Sequence, residues 1–405
     1  MDEGRVISPC CFLVFKRKAA VTSFFAEAVF FLPIARAIVE QNEHPDTDLK
    51  IVGLLNFYFI HKEGMIGVNT ITFDNSKPFD IVCSGRIAVD FNPVDLNQPL
   101  EDCTTFKKYL GGSPANIAVG MARLGKKVGF IGKVSKDQMG IFVTKFFQKE
   151  GIDTSQVCEA TQGEFIGLTY TEILSPTESS ILMNRNFAAD LSLTVDEVSE
   201  EYIQQAKMFL ISGTALAASP SREAMLLGLR YAKKHNVPVV FVLDYRGYTW
   251  KSKEEVSLYY SLVAEHSDIL IGSRTEFDLM EETLFQDHDD KKSANYWLGK
   301  GNQIVVITHG KDGSTAYTRN GESFSIKPFP VKSLKGFGGG DGYTSAFLYG
   351  LTEGWDIIDC LEFGSASAAM LIASHACSQD MPSADEVKAF IKRKKEEFGE
   401  MIARV

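Results

Sequence analysis

Met208-Phe209-Leu210-Ile211-Ser212, Val237-Pro238-Val239-Val240-Phe241-Val242-Leu243 and Ile269-Leu270-Ile271-Gly272 are three short apolar runs, and the segments between them, Ser221–His235 and Ser252–Glu265, read as helices. Runs of Val, Ile, Leu and Phe without polar alternation belong to strands covered on both faces, the signature of a parallel sheet. Each helix returns the chain so that the next strand can run the same way. Working upstream, Phe79–Ser84 and Lys127–Val134 repeat the strand pattern, and Ser113–Leu124 and Asp137–Glu150 the helix pattern. Ser113 is placed as an N-cap, with Pro114 at the first helical position. Downstream follow a helix over Thr275–Glu282, a strand over Gln303–Thr308, a hairpin-like region to Pro330, and helices opening at Asp341, Asp356 and Ser383. The fold class is α/β, a mostly parallel central sheet flanked by helices on both faces. Binding sites in such sheets lie beyond the carboxyl ends of the strands, where Asp90, Asp244 and Ser273 fall.

Two segments break the alternation. Phe165–Ile173 and Ser180–Arg185 read as strands joined by a turn at Ser175-Pro176. With Phe91–Leu110 they are expected to form a small β lid, spanning about residues 91–110 and 165–187. Phe285–Asn302 is polar and is read as an exposed loop and helix. Residues 1–78 differ from the rest and are set apart as an N-terminal extension, with the main domain over 79–400. Lys16-Arg17-Lys18 precedes an apolar run from Ala19 to Val39 that Glu27 and Arg36 interrupt, too short a run for a membrane span. A secretory leader, a helical appendage and a natural start at Met65 remain open for this region, the last being favoured.

The 405 residues carry a net charge of −10, so no basic field for nucleic acid exists. Seven cysteines, an odd number with no C-x-x-C pair, point to a reduced, cytoplasmic protein without a structural zinc site.

Two glycine motifs carry the chemistry. In Gly336-Phe337-Gly338-Gly339-Gly340-Asp341 four glycines precede an aspartate at a helix start. Backbone amides can converge there, and the helix adds unpaired N–H groups and the positive end of its dipole. That is a seat for a phosphate, with Asp341 beside it able to take a proton from an alcohol. The motif is not a Walker A loop, since no Gly-Lys-Ser/Thr follows. In Gly111-Gly112-Ser113-Pro114-Ala115-Asn116 two glycines let a polyol approach the backbone, and Asn116 offers a donor and an acceptor. Alone, either motif also reads as a simple turn.

Together, in this order and roughly 200 residues apart, they resemble the ribokinase/PfkB family of carbohydrate kinases. Gly111-Gly112, Ala115-Asn116, Arg123-Leu124-Gly125, Gly132, Asp137 and Gly140 fit its N-terminal signature, and Gly338 to Asp341 its C-terminal one. The resemblance spans roughly Phe79 to Phe390 and implies a ribokinase-like fold using ATP and Mg2+. It implies Asp341 as catalytic base and Gly338, Gly339 and Gly340 as the anion hole. Asp90, Gly111, Gly112 and Asn116 match positions that contact the sugar, and Thr308, Gly310 and Gly313 a nucleotide-binding turn. Glu276 matches the acidic residue of an Asn-x-x-Glu motif that organises magnesium through water, with Ser273 standing where the Asn usually is. Gly339 replaces a usual alanine and Gly336 a frequent threonine.

Ser84-Gly85-Arg86, Ser212 to Leu216, and Asp244-Tyr245-Arg246 with Trp250 narrow the resemblance to members acting on keto-deoxy sugar acids. Such a substrate brings a carboxylate, for which Arg86, Lys133, Arg185 and Arg246 are candidates, Arg offering a planar fork. Arg246 is preferred because it follows a buried strand, and Lys133 is read as a surface ion pair. Fructokinase, ribokinase and 2-keto-3-deoxygluconate kinase activities stay open, as does a non-catalytic sugar-binding regulator. The expected partners are thus a sugar acid and ATP, no nucleic acid and no membrane, with a homodimer through the lid implied by relatives.

Overall fold

Apolar continuity dictates the main sheet. The computed structural model describes residues 71–404 apart from 177, 286 and 287. The chain divides after Val68, and the described residues belong to the second unit, Asn69–Val405. The basic and apolar run near the start and the alternative start at Met65 lie outside the described residues. In chain order the first strands are β1 (Ile81–Ser84), β2 (Ala88–Pro93), β3 (Phe106–Gly111), β4 (Val128–Val134), β5 (Asp153–Glu159), β6 (Gly167–Ile173) and β7 (Ser179–Asn184). They are followed by β8 (Phe209–Ser212), β9 (Val239–Val242), β10 (Ile269–Ser273), β11 (Ile304–Thr308), β12 (Ser314–Thr318), β13 (Ser323–Ile326) and β14 (Ile402–Arg404).

The described residues build one large sheet in the order β14-β13-β12-β11-β10-β9-β8-β1-β4-β5. From β5 to β11 every pairing is parallel, and β11 to β14 add an antiparallel edge. Side chains alternate between two cores. Cys83, Leu210, Val240, Ile271 and Val306 face one, and Val82, Ile211, Phe241, Leu270 and Val305 the other. Because both faces are buried, no polar alternation appears in these strands. The helices α1 (Ser113–Arg123), α2 (Gln138–Lys149), α3 (Ser221–Lys234), α4 (Lys253–Ala264), α5 (Arg274–Glu281) and α6 (Asp290–Lys300) follow strands of this sheet or its extensions. The last three are α7 (Gly339–Thr352), α8 (Ile357–Ile372) and α9 (Ala384–Phe398). α1, α2 and α7 to α9 contribute to the first core, and α3 to α6 to the second.

The segments that broke the alternation form a second sheet, β3-β2-β6-β7. Here β6 reads buried and half-buried in strict alternation, the pattern of a sheet with one covered face. This sheet is fastened to the main body by Tyr248 Oη donating to Ile181 O at 2.6 Å, Gly336 N donating to Ser179 Oγ at 3.2 Å, and His375. The His375 ring sits 2.8 Å from Tyr109 Oη and 2.9 Å from Pro93 O, a bracing role on the small sheet.

Several details differ from the expected elements, among them the start of α1, whose N-cap is Gly112 with Ser113 already in the helix, and the unexpected edge strand β14. α7 begins at Gly339, two residues before Asp341, because glycines tolerate the helix entry. β5 was unmarked, since a polar Asp-Thr-Ser-Gln edge strand has no apolar signal. α6 is more than a solvated helix, because Trp297 on it is fully buried and donates to Glu281 Oε1 at 2.8 Å.

Candidate active site

Asp244 and Ser273 lie at the carboxyl ends of the parallel strands β9 and β10, as expected, whereas Asp90 lies within β2 of the small sheet, Gly111 ends β3, and Asp341 lies at the start of a helix that follows the antiparallel edge. The centre is Asp341, in the first turn of α7. Its Oδ1 accepts from Ser113 Oγ at 2.6 Å and its Oδ2 from Asn116 Nδ2 at 2.8 Å. Both donors lie on the first turn of α1, so the packing of α1 against α7 joins the two glycine motifs. Burial and the negative Asp244 push the Asp341 carboxyl up to about 7, against the hydrogen bonds from Ser113 and Asn116 and the charge of Arg246. A side of Asp341 nevertheless stays open to solvent. A carboxylate poised near neutrality, with a solvent-facing side, suits a general base.

The approach to Asp341 is a left-handed turn. Gly338 has φ +85°, and a Cβ on it would strike the Cys377 sulfur. Only glycine meets both demands, and the turn delivers the amides of Gly339, Gly340 and Asp341 as the unpaired start of α7. Gly340 is exposed with open space where a side chain would be, so a ligand can reach these N–H groups.

The expected sugar-contacting residues form the wall beside Asp341. Gly112 takes φ +97° because its backbone presses on the Arg86 carbonyl, where a Cβ has no room. Gly111 lies flat against the Asp90 carboxylate. Asp90 Oδ1 and Asn116 Oδ1 are buried without a protein partner, two acceptors aimed at a group the protein does not supply. Burial raises the Asp90 carboxyl and nearby Arg86 opposes that rise.

The arginine candidates divide. Arg86 is buried, and its Nη2 donates to Thr169 Oγ1 at 2.7 Å while Nε has no partner. Arg185 is buried in an ion pair with Asp190, donates to Thr214 O at 2.8 Å, and keeps Nη1 unpartnered. Arg246 pairs with Asp244 at 2.9 Å, leaves 34% of its side chain exposed, and is held protonated by Asp244. Lys133 is spent on Glu197 at 2.8 Å, the expected ion pair, but the lysine is buried rather than on the surface because it lies on β4, within the main sheet.

On the other flank, Ser273 caps α5 in a box with Glu276. Glu276 Oε2 accepts from Ser273 N at 2.7 Å, and Oε1 from Tyr245 N at 2.8 Å. Glu276 therefore ties the end of β10 to the Asp244–Arg246 segment. Thr308 pairs with Ser273 across β10 and β11. The turn after it closes by His309 N donating to Gly313 O at 2.8 Å, with Gly310 and Gly313 both at positive φ. Among the described residues no group of three or more His, Cys, Asp or Glu could hold a metal. Glu276, with its carboxylate already engaged, fits a divalent cation only through intervening water.

In sequence Ser113 reads only as a helix cap, and Asp244 falls at the ligand-binding end of a strand without a role of its own. Ser113 looks in sequence like an N-cap, yet its hydroxyl binds Asp341 across the fold. Asp244 has φ +37° and accepts from Ser212 Oγ at 2.9 Å and Thr214 Oγ1 at 3.3 Å. A non-glycine residue forced to positive φ at a strand end is a sign of function that no sequence pattern displays.

The chain matches the model of the pfkB family carbohydrate kinases over residues 79–384. It is 63% identical over 334 residues to 5-dehydro-2-deoxygluconokinase of Clostridium perfringens, covering 82% of this chain and 99% of that protein. The enzyme of the same name from Geobacillus thermodenitrificans is 52% identical over 325 residues, covering 80% and 96%. Among solved structures, fructokinase with bound ATP from Xylella fastidiosa superposes with a TM-score of 0.68 at 24% identity, over 78% of this chain and 98% of that one. Fructokinase from Vibrio cholerae with fructose, ADP and calcium gives 0.67 at 20% identity, over 77% and 98%. These two likenesses establish the ribokinase-like fold.

Proposed function

The chain belongs to the pfkB family of carbohydrate kinases, and we propose that it transfers the γ-phosphoryl group of ATP to the 6-hydroxyl of 5-dehydro-2-deoxy-D-gluconate, an acid of myo-inositol breakdown. The observation that carries this reading is Asp341, held between Ser113 and Asn116 at the mouth of the glycine turn. The acceptor hydroxyl lies against Asp341, which takes its proton as the oxygen attacks phosphorus. The amides of Gly339, Gly340 and Asp341 hold the migrating phosphoryl group, and the oxygen of ADP leaves on the opposite side. Asp90 and Asn116 accept hydrogen bonds from the sugar hydroxyls through their free oxygens. Arg246, charged and partly exposed beside Asp341, meets the substrate carboxylate, with Arg86 and Arg185 behind it.

ATP lies along the Ser273, Thr308 and Gly310–Gly313 side, where Glu276 would hold Mg2+ through water. When bound, the ion neutralises phosphate charge. The small sheet serves as the lid that keeps water from the phosphoryl group. Its exposed Leu182 and Phe187 give a face on which two copies can meet. The test is ADP release across a panel of sugar acids and sugars, with NMR of the product. The acid should be the best substrate, phosphorylated at its 6-position. Fructose or ribose turned over far better would sink the substrate assignment.

A further inference from the structure

Lys335 is the one lysine among the described residues with no surface exposure at all. It sits three residues before Gly338, and its Cε comes within 3.8 Å of the place a Gly338 side chain would take. Its Nζ donates to the Ala376 carbonyl at 2.5 Å and lies 5.3 Å from the centre of the Phe337 ring. It forms no ion pair among the described residues. Beside it lies the Cys377 thiol, which burial keeps protonated, and the carboxylates that reach it electrostatically are Asp380 on the loop after α8 and Asp90 across the sugar wall. An ammonium without a carboxylate in a dry interior is costly, so a lysine kept there calls for a compensating use.

The surroundings supply one. The backbone of Leu334 and Lys335 is bonded to the end of α8, each N–H donating to Ile372 O, at 2.7 and 3.2 Å. The side chain reaches forward to Ala376 on the loop that follows. Lys335 thereby clamps two segments together directly behind the left-handed turn, and Cys377 of the same loop forms the back wall of Gly338. The anion seat is built of amide dipoles alone, and a fixed positive charge behind them acts in the same direction on any dianion in front.

We propose that Lys335 is a positioning residue for phosphoryl transfer, a buried fixed cation that holds the Gly338–Asp341 turn in shape and adds its charge to the seat for the migrating phosphoryl group. This rests on the kinase reading above and goes beyond it. Lys335 touches neither reactant. It acts through the turn, so its loss should fall on turnover more than on binding. Burial lowers its affinity for a proton, so the charge is lost earlier on the alkaline side than for an ordinary lysine.

The test uses the full chain with Lys335→Met, which keeps the stem and removes the charge. The expected result is a fall in kcat of about ten- to a hundredfold with both KM values within about threefold, in a variant whose thermal melt stays cooperative. A folded variant losing less than about threefold in kcat overturns the proposal. If Lys335→Met does not fold, Lys335→Arg decides: it keeps a charge of higher pKa, so kcat should persist and the alkaline limb of the kcat profile should move up. An unmoved limb overturns the proposal. Wild-type ADP release on the sugar panel separates the two ideas. If another sugar proves to be the substrate, the acid assignment fails and the Lys335 comparison is made on that sugar.

Discussion

Replacing Asp341 by Asn tests the site most sharply, because the geometry predicts opposite effects on rate and on stability. For the rate, the amide cannot take the proton of the acceptor hydroxyl, and positioned bases contribute about 10²- to 10⁴-fold. For stability, the wild-type carboxyl is held at about 7 against an ordinary 3.8. The folded protein thus binds this proton more tightly than the unfolded chain does. The carboxyl's contribution to stability is full below about pH 4 and is lost as pH rises through 7. About three units at 1.36 kcal/mol each give at most ~4 kcal/mol, and solvent at the open side of Asp341 reduces that to about 2. Asp341→Asn removes the buried charge, and the otherwise unpartnered Asn116 Oδ1 can accept from the new amide after a flip. At pH 8 the variant should melt about 2–4 °C above the wild type, and at pH 4 the advantage should vanish. The assay is differential scanning calorimetry at both pH values, beside ADP release. The wild type should also gain about tenfold in kcat/KM between pH 6 and pH 8, the change in ionised fraction across a group titrating near 7. Turnover preserved in the variant, or a lowered melting temperature at pH 8, would refute the placement of a charged base there.

Gly338→Ala forces a left-handed alanine into the Cys377 sulfur, so kcat should fall more than tenfold, read by single-turnover kinetics. Asn116→Ala removes one hydrogen bond that favours the ionised Asp341, so the acidic limb of kcat/KM should move to higher pH while the sugar KM rises. Arg246→Met should raise KM for the sugar acid about ten- to a hundredfold and leave KM for ATP within about twofold, measured by initial rates. Glu276→Gln keeps the size but not the charge at the α5 cap, and the Mg2+ concentration for half-maximal activity should rise severalfold.

The layered fold is legible because burial on both faces writes itself as uninterrupted Val, Ile and Leu in β8, β9 and β10. The polar edge strand β5 and the three-residue β14 bury too little to leave such a mark. At the site, Asp341 and the glycines stand out because a phosphate seat needs residues that few other roles require. Ser113 and Asp244 do not. A serine before a proline already has a local explanation as a cap, and the strain at Asp244 is a matter of dihedral angle. The buried state of Lys335 is equally silent, since a lysine in a polar-looking loop ordinarily faces water.

Sequence by itself determined the parallel sheet and the two glycine turns and pointed to Asp341 as the candidate base, since each depends on residue type and near neighbours along the chain. Tertiary structure alone decided which hydroxyl and amide grip Asp341, how far its proton affinity rises, and which arginines are spent on Asp190 and Asp244. The grip comes from groups more than two hundred positions from Asp341 and its proton affinity from dielectric surroundings that many segments build together, while the Arg185–Asp190 and Arg246–Asp244 pairs, near in sequence, depend on how the folded backbone turns those side chains. Local chain composition carries no record of any of these.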